Sequence, residues 1–347
     1  MIRFMSFYLL ILTWLGVVYA QKSQVDLCQD GGLWGSALSL HEDLPEFGLN
    51  DQKQIDRMVE QGFRSISLVV HWHQEHVSSH GIHAAGLEHT SDQRLIKAIH
   101  YAHQKKLVVM LLPIIWLKQR AKGQWRGTLH PTHPTLWWKA YTRFIMHYAT
   151  IAQKHKVAWL SIGSELSSME KEWMAWRQLI KKIRMTYQGK LIYSANWDHY
   201  QNVPFWHLLD AMGMTAYYEI ATYEGATVQH MLDRWHLVRS ALHEWYASKQ
   251  YQIPLLFTEI GYASQKGSAT QPWHYTRSTL VDLKEQFRAY QAFALTWYKD
   301  PLLCTAFFWN SWGIGGLQDT WYTLSGKPAL MMIQAFMQAR KRSMQSY

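Results

Sequence analysis

Two glutamates close apolar runs that otherwise read as protein interior. "VAWLSIGSEL" contains Glu165 and "PLLFTEIGYAS" contains Glu259, 94 residues further along the chain. A buried charge without a partner is costly, so chains avoid it or use it. Singly, either glutamate fits a salt bridge to an internal arginine. As a pair they fit glycoside hydrolysis, in which one carboxyl protonates the leaving oxygen and the other attacks the anomeric carbon or activates water. Aromatic residues fall at similar places: Trp34, Trp72, Trp116, Trp197, Tyr217, Tyr218, Trp309 and Trp312. Indole and phenol rings stack on the C–H faces of sugars, although tryptophan and tyrosine also build cores. About half are expected to face a cleft, as strand alternation implies.

Positioning such groups requires strands that end on a common face. Apolar runs at 33–38, 65–70, 107–114, 157–162, 191–195, 212–216, 255–258 and 305–309 read as strands. Helical patterns lie near 51–61, 91–105, 135–154, 170–187, 203–209, 228–249, 280–298 and 328–340. Eight strand–helix units without a long linker predict an α/β fold, a single-domain (β/α)8 TIM barrel. A doubly wound open sheet is the alternative. It lacks support, because "GGLWGS" has neither the phosphate-loop spacing nor its acidic partner. In a barrel, the site lies at the C-terminal ends of the strands. Glu165 then closes strand 4 and Glu259 strand 7. Closure also makes strands 1 and 8 neighbours, which brings Cys28 and Cys304 together at the barrel bottom. A disulfide between them is geometrically allowed, with two free thiols as the alternative.

Composition bounds the function. The chain has 347 residues, 48% hydrophobic, with 19 Trp, 19 Tyr and 12 Phe, ample for a large core. Residues 1–20, "MIRFMSFYLLILTWLGVVYA", read as a secretory signal peptide cleaved before Gln21, leaving 21–347 as the catalytic domain. An uncleaved anchor is the alternative. No other segment approaches a membrane span, so no integral membrane segment is expected after cleavage. Export to the periplasm or medium is expected, with no nucleic-acid partner. The net charge of +10 falls by one to +9 once Arg3 leaves. Its basic residues are scattered, as on a solvated surface. A monomer is expected.

Several longer stretches resemble glycoside hydrolase family 113, of clan A. "IPLLFTEIGYAS", "WLSIGSELSSME" and "KLIYSANWDHYQNVPFWHLLDAMGMTAYYEI" resemble its strand-7, strand-4 and strand-5/6 segments. "SISLVVHWHQEHVSSHGI", "TSDQRLIKAIHYAHQKKLVVMLLPII" and "FFWNSW" followed by "SGKPAL" resemble its strand-2, strand-3 and last-strand regions. The resemblance covers nearly the whole chain after the leader. It implies a retaining β-1,4-mannanase that uses no cofactor or metal and acts on a polysaccharide. Glu165 would be the acid/base and Glu259 the nucleophile, with carboxyls about 5–5.5 Å apart. It also implies a tyrosine beside the nucleophile, Tyr217 or Tyr218, and an aromatic subsite floor, Trp309 or Trp312. Asn196 is a candidate for binding a sugar hydroxyl. The chain departs from the clan at Ser164, where asparagine commonly precedes the acid/base.

Two other readings compete. In "HWHQEHVSSHGIH", His71 and His73 share a strand face, and His76, His80 and His83 follow. An H-x-H pair in a barrel can hold a catalytic metal. Such sites need a carboxylate on the final strand, and strand 8 ends Trp309-Asn310-Ser311 instead. The histidines then line the cleft or surface, and His73 and Gln74 are candidates to touch substrate. The second reading is a barrel that binds glycan without cleaving it. Retention of both glutamates speaks against it.

Overall fold

Eight parallel strands close on themselves in chain order: β1 (Gly35–Ser39), β2 (Ser65–Gln74), β3 (Val108–Leu117), β4 (Trp159–Ser164), β5 (Lys190–Asn196), β6 (Ala211–Thr215), β7 (Leu255–Ile260) and β8 (Leu303–Phe308). This computed structural model describes residues 27–28, 32–40, 50–84, 90–250 and 252–345, so the leader expected at 1–20 lies outside the described residues. Closure is made by β1 on β8, with Gly35 opposite Phe307 and Ser36 opposite Phe308. Among the described residues, seven α-helices surround the barrel: α1 (Asp51–Glu60), α2 (Asp92–Gln104), α3 (Pro134–Lys154), α4 (Trp173–Thr186), α5 (Val228–Ala247), α6 (Leu283–Trp297) and α7 (Pro328–Gln345). The architecture is the (β/α)8 barrel that the alternation of runs predicts.

Helix starts follow from their caps. Asn50, Ser91, Thr227 and Asp282 accept backbone N–H groups of the first turns of α1, α2, α5 and α6, and Pro134 opens α3. The helix expected at 203–209 is absent. Val203, which precedes Pro204, is extended, and the segment divides into short 3-10 turns at Tyr200–Asn202 and Trp206–Leu208.

The interior is layered. At the bottom, Leu27, Met110, Trp159, Ile192, Leu256 and Phe307 fill the barrel. Beside them Cys28 and Cys304 form a disulfide with Cα atoms 4.9 Å apart. Above lie Ala37, Val69, Leu112 and Ile114. The larger core lies between strands and helices and includes the fully buried Trp137, Trp176, Trp235 and Trp297. No described helix is long and apolar enough to cross a membrane.

Candidate active site

Both glutamates stand where a strand loses its register. Along β7, Leu256 faces the barrel interior and Phe257 the helices. Thr258 turns inward again, accepting from Ser194 Oγ at 2.7 Å. Strict alternation would send Glu259 outward. Register shifts against β6 and β8 intervene here, and Ile260 takes the outward place. A bulge of this kind re-aims a side chain. Strand β4 does the same between Ser161 and Ser164. Gly163 faces the helices so closely that a β-carbon there would lie 2.6 Å from Tyr141 Oη. Glu165 then adopts a left-handed φ of +54°, a conformation costing about 1–3 kcal/mol for a non-glycine residue. Its surroundings hold it. The Glu165 N–H donates to Ser194 O at 2.8 Å, and the next N–H, of Leu166, donates to Tyr193 Oη at 2.9 Å. Tyr193 Oη in turn donates to the buried Glu170 carboxyl at 2.7 Å.

The carboxyls differ in their partners. Arg126, from the β3–α3 connection, places Nη2 2.5 Å from Glu165 Oε2. Tyr217 Oη donates to Glu259 Oε2 at 2.9 Å, and Glu259 Oε1 is buried without a hydrogen-bond partner. Burial, then the neighbouring Glu165, push the Glu259 carboxyl up to about 8; Arg126 and Tyr217 pull the other way. An oxygen free of donors, on a carboxylate aimed by its other oxygen, is suited to attack. Glu165, 6% exposed, is held by the Arg126 guanidinium instead.

The other expected residues divide. Tyr217, Trp197 and Trp309 come together around Ala263 and Tyr322 beside Glu259, and Trp309 also rests on the inner apolar layer. Asn196 ends β5 with its amide donating to Asp198 at 2.5 Å. Trp312 meets Trp321 edge-on at 5.6 Å. Tyr218 turns away from Glu259, toward Trp235 of α5 and Met214. Three expectations are corrected. Trp34 precedes β1 at the bottom of the barrel and packs on Phe293 and Phe336. Trp72 points outward onto Phe144 and Tyr148 of α3. Gln74, on the same face, is fully buried and accepts from Trp137 Nε1 at 2.7 Å. His71 and His73 have the inward parity, and His71 meets Trp116 edge-on. Among the described residues, no three His, Cys, Asp or Glu side chains converge as a metal site would require.

The sequence matches the model of Glycoside Hydrolase Family 113 over residues 48–321. The chain belongs to glycoside hydrolase family 113. No curated protein sequence matches it. Among solved structures, a family 113 β-mannanase from Alicyclobacillus acidocaldarius in complex with ManMIm is similar at 24% identity, covering 90% of this chain and 100% of that one, TM-score 0.77. A second family 113 β-1,4-mannanase is 25% identical over 88% and 98% of the two chains, TM-score 0.75. A family 5 mannosidase from Rhizomucor miehei shares the fold at 11% identity over 90% and 94%, TM-score 0.60.

This family 113 glycosidase holds two site residues that the sequence reading did not single out. Arg126 sits in a polar loop, "GQWRGTLHP", where no periodicity marks a side chain for the interior. Its signal was an arginine between Trp125 and Gly127, in a connection that also carries Arg120, Lys118 and Lys122. Glu170 was hidden as an apparent helix-start carboxylate. It is 1% exposed, and burial raises its carboxyl while Tyr193 and His199 lower it.

Proposed function

We propose that this glycosidase is an exported, retaining enzyme that cleaves β-1,4-linked mannan by double displacement. The observation that carries the reading is the pair of buried carboxylates at the ends of β4 and β7, with Glu259 Oε1 unpartnered and Glu165 held by Arg126. Glu259 attacks the anomeric carbon as Glu165 gives its proton to the leaving oxygen, so the glycosidic bond breaks as the enzyme–sugar ester forms. Water then attacks the same carbon. Glu165 takes its proton, and the Glu259 carboxylate leaves. Arg126 and Tyr217 favour the ionised nucleophile against its burial. Trp309 forms a floor beneath the reacting sugar, and Asn196 is placed at a strand end to meet a hydroxyl. The Ser164 hydroxyl, buried and without a partner, stands where the clan has asparagine.

Mannan is the choice because the similar family 113 structures are described as β-mannanases. The test is product analysis on β-mannan, β-glucan, β-xylan and chitin, with the anomeric protons followed by NMR from the first minutes. Reducing ends should appear from mannan first, as the β anomer. An initial α anomer would exclude double displacement, and release from another glycan alone would exclude mannan. N-terminal sequencing of the exported protein should begin at Gln21.

A further inference from the structure

The loop joining β7 to α6, residues 261–282, carries two rings that the site described above does not use. Trp273 and Tyr275 are each 43% exposed. Trp273 lies stacked against Trp197 of the β5 loop, with centroids 5.9 Å apart and planes inclined by 21°. Tyr275 is stacked against Trp321 of the β8 loop at 5.7 Å and 25°, and Trp321 meets Trp312 edge-on. Trp197 also belongs to the cluster around Tyr217, whose hydroxyl holds Glu259. The rings thus run as one wall across three loops, from the β5 side of the nucleophile to the β8 side.

Such rings are not needed to glue the loops together, because polar contacts already do this. Gln265, fully buried, donates to Tyr275 O at 2.8 Å and accepts from the Ser278 N–H at 2.6 Å. Tyr322 Oη donates to Pro272 O at 2.6 Å. The Glu285 carboxylate accepts the N–H groups of Gly267 and Ala269 at 3.0 and 2.8 Å. On the facing loop, Lys327 Nζ donates to Asp319 Oδ1 at 2.6 Å, Ser264 Oγ at 2.7 Å and Trp321 O at 2.7 Å. Burying Lys327 and Glu285 is costly unless their contacts are complete, and here those contacts fix the backbone beneath the rings. Aromatic surface left exposed on so firmly held a frame marks a binding face. Of the charged residues on the loop, Lys266 and Arg277 are paired with Glu224 and Asp282 caps α6, which leaves the wall neutral in character.

We propose that Trp273 and Tyr275, backed by Trp197, Trp321 and Trp312, form a binding wall for further sugars of a neutral β-1,4-linked chain. This rests on the β-mannan reading and extends it to the length of chain the enzyme grips.

The test compares kcat/KM on mannohexaose with kcat/KM on an aryl β-mannobioside. In the double variant Trp273→Ala/Tyr275→Ala, the loss on the hexasaccharide should exceed that on the aryl substrate by about tenfold or more. Trp273→Phe/Tyr275→Phe should recover most of the difference, which a collapsed loop would not allow. Equal losses on both substrates, or no loss on either, overturn the wall. If the wild type cleaves no β-mannan, the proposed function fails separately. The wall is then judged by tryptophan fluorescence of Glu259→Ala titrated with β-manno-, β-gluco- and β-xylo-hexasaccharides. Saturable quenching that is lost in the added Ala pair supports it, and its absence with all three overturns it.

Discussion

Strand β2 pairs with β3 at ten consecutive positions, from Ser65 opposite Val108 to Gln74 opposite Leu117, without a shift. Strand β7 slips against both neighbours within six residues. The consequence appears at their upper ends. On β2, regular alternation sends Trp72 and Gln74 to the helices, where Phe144 and Trp137 receive them. On β7, the slip lets Thr258 and Glu259 both turn inward. A regular ladder sorts side chains by parity alone, whereas a broken one can deliver a particular side chain against parity. The same break recurs on β4, just before Glu165. The breaks at the upper ends of β4 and β7 thus fall beside the two carboxylates.

Removing the product of the β7 slip gives the largest expected effect. Glu259→Ala should lower kcat on β-mannan by about 10⁴-fold or more, with far-UV and near-UV circular dichroism unaltered. Retention of most activity would place the nucleophile elsewhere and empty the comparison of its functional half. On the regular strand, Trp72→Ala should act on stability instead. Deleting this ring from the layer shared with Phe144 and Tyr148 should cost about 3–5 kcal/mol of unfolding free energy, read from a denaturant midpoint. The kcat/KM of the folded fraction should change far less. A catalytic loss with no loss of stability would return Trp72 to the cleft.

How much of this was legible in the sequence follows from the same contrast. Apolar runs bounded by helical periodicity gave the strands, because parallel barrel strands are buried on both faces and read as continuous runs. That very continuity hides parity: with both faces apolar, "SLVVHWHQ" does not say which of His71 or Trp72 points inward. Trp34 was misplaced for a simpler reason, since it lies before β1 at the barrel bottom. The two glutamates were legible because a charge ending an apolar run has few cheap explanations. Tyr217 and Tyr218 are adjacent, and only the fold separates the one that donates to Glu259 from the one that packs on Trp235. Arg126 and the Trp273–Tyr275 loop belong to segments without periodicity. Their positions depend on contacts with Glu165, Gln265 and Glu285, which are distant in sequence.

The smallest expected effect concerns the electrostatics that join the two slipped strands. The charged and titratable groups coupled at the site are Glu165 from β4, Glu259 from β7, Arg126 from the β3 loop, and Tyr217 and Tyr322 from the β6 and β8 loops. Burial and Glu165 raise the Glu259 carboxyl, and Arg126 is the larger of the two influences that lower it. Arg126→Met removes that cation, so Glu259 should give up its proton only at higher pH. The ascending limb of kcat/KM against pH should then move alkaline, by about half a unit or more. Arg126→Lys keeps the charge and should leave the limb nearer its original place, even if weaker geometry lowers kcat. If Met and Lys lower kcat alike with no movement of the limb, Arg126 only orients Glu165. The irregular strand ends would then be coupled by shape, without the shared cation that links the two carboxylates here.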